Sequence, residues 1–254
     1  MFDLIGKVAV VTGSGSGIGK AVALLFAKCG AILHLLDLNE EAINATLHEI
    51  TTANGKALSM VCDVTSQQAV TAKFNSIGRI DILVNSAGIS HVGNVENTPE
   101  ADFDKLYNVN VKGVYNCLFA AVTLMKQNSS GVILNLASIA NHVGLSDRFA
   151  YSMTKGAVYA MTLSVARDYI QYGIRCNCIS PARVHTPFVD GFIKKNYPGQ
   201  EAEMYEKLSK SQPIGRMAKP HEIAHLILYL CSEEASFITG CDYPIDGGFI
   251  NLNN

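Results

Sequence analysis

No run in this chain comes near the roughly 20 consecutive apolar residues that a membrane-spanning helix needs. Apolar stretches such as AVALLFA, residues 21–27, and VILNLA, residues 132–137, are far too short. A charge excess is also missing: the net charge is −2 and the isoelectric point about 6.4, so there is no electrostatic footprint for nucleic acid. Low-complexity segments, Pro/Ser-rich linkers and internal repeats are absent, which argues against an array or a tethered pair of domains. The start, MFDLIGKVAVVTG, carries Asp3 and passes straight into a strand pattern. It does not read as a secretory signal, and a cytoplasmic protein is expected. The seven cysteines contain no C-x-x-C. Cys176 and Cys178, two apart, would share one side of a strand and suit a metal or redox pair; the plainer alternative is small buried hydrophobes in a reducing compartment.

What the chain does contain is 48% hydrophobic residues against 17% charged, the balance of a compact globular fold. Short β-rich runs alternate with longer helical stretches. Strands are expected at 7–12, 31–37, 57–63, 81–88, 131–138, 174–181 and 241–246, and helices at 17–29, 39–53, 66–76, 99–127, 150–172 and 220–232. Strands separated by helices pair in parallel through right-handed crossovers. The fold class is therefore α/β: one doubly wound parallel seven-stranded sheet with helices on both faces, residues 1–254 forming a single domain. Each of the first six strands runs out into glycine, a carboxylate, Asn or Ser, and ligands of open α/β sheets bind outside those carboxyl ends.

Between the first strand and helix, VVTGSGSGIGKAVA holds Gly13, Gly15, Gly17 and Gly19. A loop without side chains lets backbone approach a pyrophosphate at a helix N-terminus; the alternative is a plain structural turn. Asp37 ends the second strand, where a carboxylate accepts from an adenosine ribose and repels a 2′-phosphate. No Arg or Lys stands in the loop or beside Asp37, so NAD is expected over NADP; the alternative for Asp37 is a helix-capping carboxylate. Asp63 ends the third strand where an adenine could lie. Asn85 to Gly88, NSAG, end the fourth with small residues that let a dinucleotide pass, although turn formation would use the same residues.

In YSMTK, Tyr151 and Lys155 sit one helical turn apart on one face, and Ser138 ends the fifth strand thirteen residues upstream. A phenol with its ordinary pKa near 10 is a poor base at neutral pH, and an ammonium or oxidised nicotinamide alongside stabilises the phenolate. Together with TGSGSGIG, NSAG, YNVNVKG, LASIA, IRCNCISP and the terminal IDGG, these pieces make the chain resemble a short-chain dehydrogenase/reductase over essentially its full length, with the Rossmann-type sheet of that family.

The resemblance implies an NAD-dependent enzyme interconverting a secondary alcohol and a ketone. It implies Tyr151 as acid/base, Ser138 on the substrate oxygen, Lys155 beside the tyrosine and on the nicotinamide ribose, and Asn110 anchoring a water that links Lys155 to a proton relay. Thr186 would hold the carboxamide, and Ser16, Ile18, Val64, Ala87, Pro181 and Val184 would complete the cofactor's surroundings. A homotetramer is implied as well, with helices 99–127 and 150–172 and the last strand as contact surfaces. Two departures stand out: Ser86 replaces the second Asn of N-N-A-G, and Ala182 replaces the Gly of P-G, which adds a methyl where positive φ is usual.

Substrate choice falls to the loops after the fourth, fifth and sixth strands, the last forming a lid of short helices over 183–212. Arg148, Arg183 and Lys194-Lys195, with His91, His142 and His185, concentrate positive charge there. Arg148 near Tyr151 suits a substrate carboxylate. DRFAYSMTK, GIRCNCISPARVHTPF and IGRMAKPHEIA are similar to the hydroxy-acid and deoxy-sugar-acid branch of the family, although Phe192 and Ser211 stand where that branch has further arginines. The expected ligand is a small hydroxy acid or sugar acid bound by Ser138, Arg148, Tyr151 and Arg183. The alternatives are a neutral sugar, steroid or acyl-thioester substrate, or an NAD-binding protein without turnover.

One motif points elsewhere. HEIAH, residues 221–225, is the H-E-x-x-H pattern of zinc peptidases. On a helix with Ile223, Leu226, Ile227 and Leu230 as its packed stripe, His221 and His225 fall opposite, facing outward. No histidine follows to serve as a third ligand, and no metal site is expected.

Overall fold

The computed structural model describes residues 2–252, with all their side chains except those of Lys195 and Asn196. Seven strands form one parallel sheet: β1 (Val8–Thr12), β2 (Ile32–Asp37), β3 (Lys56–Val61), β4 (Ile82–Asn85), β5 (Gly131–Leu136), β6 (Ile174–Pro181) and β7 (Asp242–Ile245). Their spatial order is β3-β2-β1-β4-β5-β6-β7. The order reverses between β1 and β4, the switch point where such sheets open a ligand crevice.

Strand residues alternate between two cores, as a sheet covered on both faces requires. Val10 and Leu83 point into a core shared with Val70 and Phe74 of α3 (Gln67–Ile77), Val114 and Leu118 of α5 (Gly113–Gln127), and Val158 and Ala166 of α6 (Phe149–Tyr169). Ala9 and Val11 point the other way, toward Val22 and Phe26 of α1 (Gly17–Lys28) and Ile223 and Ile227 of α9 (Pro220–Cys231). Both Phe26 and Phe74 are fully buried, each worth about 2–3 kcal/mol of apolar transfer. Cys176 and Cys178 do share one side of β6, inside the α6-side core, where burial pushes both thiols well above their ordinary pKa. α2 (Glu40–Thr52) is capped by Asn39, whose side chain accepts from Ala42 N at 3.0 Å.

Two differences from the sequence pattern have local causes. The helix expected over 99–127 is three pieces: α4 (Glu100–Leu106), a π-helical turn at Tyr107–Lys112 and α5. The wider turn inserts a residue into the helical ladder and leaves Asn110 only 1% exposed. β4 and β5 stop short, because Ser86–Gly88 and Ala137–Ser138 leave the ladder to form the crevice rim. The stretch after β6 folds as two short helices, α7 (Pro187–Asn196) and α8 (Glu201–Lys210). Among the described residues no helix is long and apolar enough to cross a membrane.

HEIAH lies on α9 with both histidines exposed and Ile223, Ala224 and Ile227 buried. Glu222 accepts from Arg216 Nη1 and Nη2 at 2.8 and 2.7 Å and from Lys219 N at 2.8 Å. The Arg216 guanidinium holds its pKa at about 2. The carboxylate that would act as general base in a peptidase is thus the N-terminal clasp of the helix. Among the described residues no group of three His, Cys, Asp or Glu could hold a metal ion.

Candidate active site

A cleft of about 680 Å³ opens at the carboxyl edge of the sheet, and residues following all six of β1 to β6 line it. Its first wall is the glycine loop. A Cβ at Gly13 (φ +68°) would lie 2.9 Å from Ala87 Cα, and one at Gly19 would collide with the Gly13 carbonyl. The loop therefore folds as tightly as its composition permits and leaves the N-terminus of α1 bare. Ser16 is the N-cap but makes no side-chain capping bond, so the first-turn amides face the cleft beside Gly17 and Ile18. That is the donor set a pyrophosphate requires.

Asp37 lines the cleft beyond this loop. Its Oδ2 accepts from Gly15 N at 3.1 Å and its Oδ1 from Asn39 N at 3.0 Å. The capping of α2 falls to Asn39, so Asp37 does not serve as the capping carboxylate, and its oxygens retain lone pairs toward the cleft. Asp63 and Val64 line the far end; Asn116 Nδ2 donates to Val64 O at 2.8 Å and holds that turn in place. On the opposite rim Ala87, Gly88, Pro181, Val184 and Thr186 line the cleft. Thr186 is the N-cap of α7 with its hydroxyl not used for capping, and its methyl lies 3.4 Å from where a Gly17 Cβ would be. Ala182 is not among the residues of positive φ. It follows β6 by donating its N–H to Ile245 O at 3.3 Å, so the added methyl meets no backbone strain.

Ser138, Tyr151 and Lys155 converge on the other half of the cleft. Ser138 caps a short 3-10 turn, Ile139–Asn141, its Oγ accepting from Ala140 N at 3.2 Å. Lys155 is 7% exposed; its Nζ donates to Leu136 O at 2.7 Å and lies 5.6 Å from the centroid of the Tyr151 ring. The ammonium is thus fixed between the end of β5 and the Tyr151 ring.

Asn110 and Asn85 are not among the residues that line the cleft. Asn110 is buried below the cleft. Its Oδ1 accepts from Ile89 N at 2.9 Å, and its Nδ2 donates to Ile89 O at 2.8 Å and to Thr154 Oγ1 at 3.1 Å. Both amide protons are therefore used in joining the loop after β4 to α6, and Oδ1 keeps a second lone pair. Asn85 does not reach the cleft either: Asn85 Nδ2 donates to Asn135 Oδ1 at 2.8 Å, and Asn135 Nδ2 to Thr162 Oγ1 at 2.9 Å. The sheet register explains this. Thr12, Asn85, Asn135, Cys178 and Asp242 are successive cross-strand partners from β1 to β7. One polar row therefore crosses the sheet just under the cleft floor. Thr12 Oγ1 accepts from Ser86 N and Ala87 N at 3.1 and 3.0 Å, setting the NSAG turn from below. Thr12 and Asn135 were legible as lone polar residues inside apolar strands, but nothing in the sequence aligned them.

Of the positive groups in the loops, Arg148 and Arg183 line the cleft, as do Phe188 and Phe192 of α7. Arg148 Nη1 donates to His91 O at 3.2 Å, and its guanidinium lies 5.6 Å from the Phe192 ring centroid. Burial lowers the pKa of both guanidiniums from the ordinary arginine value, and Arg148's charge lowers that of Arg183 further. Arginine stays cationic nonetheless. Among the described residues neither has a salt-bridge partner. His142 instead meets Asp242 at 2.7 Å and His185 meets Asp190 at 2.8 Å, and neither histidine lines the cleft. The Lys195 side chain lies outside the described residues.

Comparison with known proteins gives this cleft a family. Residues 13–250 match the family described as Enoyl-(Acyl carrier protein) reductase. The chain is 40% identical over 250 residues to dehydrogenase/reductase SDR family member 6 of Aquarana catesbeiana, covering 98% of this chain and 99% of that protein. It is 34% identical over 249 residues to the 2-keto-3-deoxy-L-fuconate dehydrogenase of Xanthomonas campestris, covering 98% and 81%. The solved structure of an NAD+-bound xylitol dehydrogenase superposes with a TM-score of 0.90 at 34% identity, covering 96% and 99% of the two chains. Six strand ends around one cleft, a glycine loop at the head of α1 and the Ser138, Tyr151, Lys155 group thus coincide with similarity along nearly the whole length, and the chain belongs to the short-chain dehydrogenase/reductase family of oxidoreductases.

Proposed function

We propose that this protein is an NAD-dependent dehydrogenase that interconverts a secondary alcohol and a ketone on a small hydroxy acid or sugar acid. The observation that carries the substrate class is the pair of half-buried guanidiniums, Arg148 and Arg183, which share the cleft with Tyr151 and have no salt-bridge partner among the described residues. Desolvated cations without a counterion are costly, and a substrate carboxylate supplies one. A relative of known substrate, the 2-keto-3-deoxy-L-fuconate dehydrogenase, acts on a sugar acid by its name. The cleft fits a dinucleotide: the bare N-terminus of α1 would hold the pyrophosphate, Asp37 the adenosine ribose and Thr186 the carboxamide. A ribose carboxylate with no cation beside it in the glycine loop favours NAD over NADP.

When bound, the nicotinamide accepts or donates the hydride. Ser138 donates a hydrogen bond to the substrate oxygen and holds the reacting carbon over the cleft. Tyr151 takes the hydroxyl proton in oxidation and returns one in reduction. Lys155 is held beside the phenol ring by its hydrogen bond to Leu136 O. Asn110 positions the loop after β4 against Thr154. The expected assembly is a homotetramer: Tyr115 and Phe119 of α5 are about half exposed in the single chain, and sedimentation velocity measures the state directly.

The test is NADH formation from NAD⁺ over a panel of hydroxy acids, sugar acids, polyols and steroids, with Tyr151→Phe alongside. Turnover confined to the acids and lost in the variant is the expected result. Turnover on polyols with indifference to acids would leave the chemistry standing and remove the carboxylate reading.

A further inference from the structure

The polar row under the cleft ends in a carboxylate that the chemistry above does not use. Asp242, on edge strand β7, is 5% exposed in its side chain. It accepts from Asn141 Nδ2 at 2.9 Å, meets His142 Nε2 at 2.7 Å, and has Ser180 Oγ 2.8 Å from both its oxygens. Ser180 Oγ also lies 3.0 Å from Asn141 Oδ1. The Cys178 thiol, its register partner on β6, completes the shell, and the carboxylate helps hold that thiol protonated.

Asn141 and His142 belong to the turn that starts at Ser138. Asn141 N donates to Ser138 O at 3.0 Å, His142 N to Ile139 O at 2.9 Å, and Ala140 N to Ser138 Oγ at 3.2 Å. A hydrogen-bonded turn with only Ile139 and Ala140 in between therefore links Ser138 to Asn141 and His142, which Asp242 grips. Strand pairing does not need this carboxylate: Cys178 N already donates to Cys241 O at 2.9 Å. Moreover, for stability alone an apolar residue generally does at least as well as a buried charge. What the carboxylate adds is direction. As an acceptor-only group with about four lone-pair sites, it draws donors from the β5 turn and from β6 onto one point of β7.

We propose that Asp242 is a positioning residue for Ser138: by gripping Asn141, His142 and Ser180 it fixes the turn that aims the Ser138 hydroxyl into the cleft. This rests on the dehydrogenase reading above, in which that hydroxyl holds the substrate oxygen. Displacement of a reacting group by about 1 Å costs on the order of 100-fold in rate, so release of the turn is felt in chemistry before it is felt in cofactor binding.

The experiment compares wild type, Asp242→Ala and Asp242→Asn. It measures kcat and KM for the best alcohol, the isotope effect on kcat with the reacting carbon deuterated, the NADH dissociation constant by fluorescence, and Tm. The expected result for Asp242→Ala is a kcat lower by about 10- to 100-fold, an isotope effect that rises because hydride transfer has become limiting, and NADH affinity within about twofold of wild type. Asp242→Asn keeps an acceptor for His142 and falls between. If Asp242→Ala does not fold, His142→Ala removes a single tie and is expected to lower kcat roughly fivefold with the same isotope signature. Wild-type kcat in Asp242→Ala overturns the proposal, as does a kcat that falls only in step with the NADH-binding fraction at an unchanged isotope effect. A wild type that turns over no alcohol overturns the dehydrogenase reading itself, and this inference with it.

Discussion

Asp37→Asn isolates the charge at the ribose end of the cleft. Asparagine keeps an oxygen that can still accept from Gly15 N or Asn39 N, the two amides now held at 3.1 and 3.0 Å, so the loop remains formed. What it loses is the negative charge. Against a single effective charge on a 2′-phosphate about 5 Å away, the carboxylate's repulsion is about 3 kcal/mol at an effective dielectric of 20, and about 1 kcal/mol in an open, wet cleft. Removing it should tighten NADPH binding roughly 5- to 150-fold. NADH, which exchanges a charge-assisted hydrogen bond to its ribose for a neutral one, should weaken by about 10-fold. Fluorescence titration of both reduced cofactors against wild type and variant reads the two effects separately, and Tm controls for loss of the loop. The reasoning fails if wild type binds NADPH more tightly than NADH, or if the NADH/NADPH ratio is the same in both proteins.

Other outcomes follow from the same geometry. Arg148→Gln and Arg183→Gln should each raise KM for an acid substrate by about 10- to 100-fold, the worth of a charge-assisted contact, while NADH affinity is unchanged; steady-state kinetics with the best acid checks this. In Gly19→Ala the new methyl meets the Gly13 carbonyl, so NADH binding should be lost, as titration would register. Arg175 donates to the carbonyls of Ile238, Leu230 and Ser232 at 2.9, 3.0 and 3.2 Å; Arg175→Ala leaves these acceptors unpaired and should cost about 3 kcal/mol in urea unfolding. Burial lowers the pKa of His34 from its ordinary value, and its Nδ1 has no partner. The neutral ring is thus the stable folded form. The unfolded chain takes up the proton first as pH falls below about 6.5, so stability is full above that value and declines between it and the lower folded pKa. A His34→Leu variant should flatten that acid limb, and equal slopes for the two proteins would refute the assignment.

Much of this was written in the order of the residues. Strand and helix alternation set the sheet, because a β-run covered on both faces must be apolar and its crossovers helical. The glycines before α1, Asp37 after β2 and the Tyr151–Lys155 spacing set the site, because each is a local demand: a tight turn, a strand end, one helical turn. Those demands place Ser138, Tyr151 and Lys155 on one cleft without knowledge of a single distance. HEIAH was equally local, and the apolar stripe of its own helix already assigned the histidines to the outside.

Only the tertiary structure decided what depends on register between strands far apart in the chain. Asn85 reads as the first residue of NSAG at a strand end beside the cofactor, yet the pairing of β4 with β5 turns it onto Asn135, 50 residues away. Asp242 reads as an unremarked residue of the last strand, yet β7 places it beside Asn141 and His142, about 100 residues upstream. Asn110 sits under the cleft because a π turn rotates it inward. Arg148 and Arg183 became a pair because β5 and β6 are neighbours, so the loops that follow them share one side of the cleft. Local sequence determines which conformations a segment adopts; which side chains then meet is a property of the whole sheet, whose register no single segment encodes.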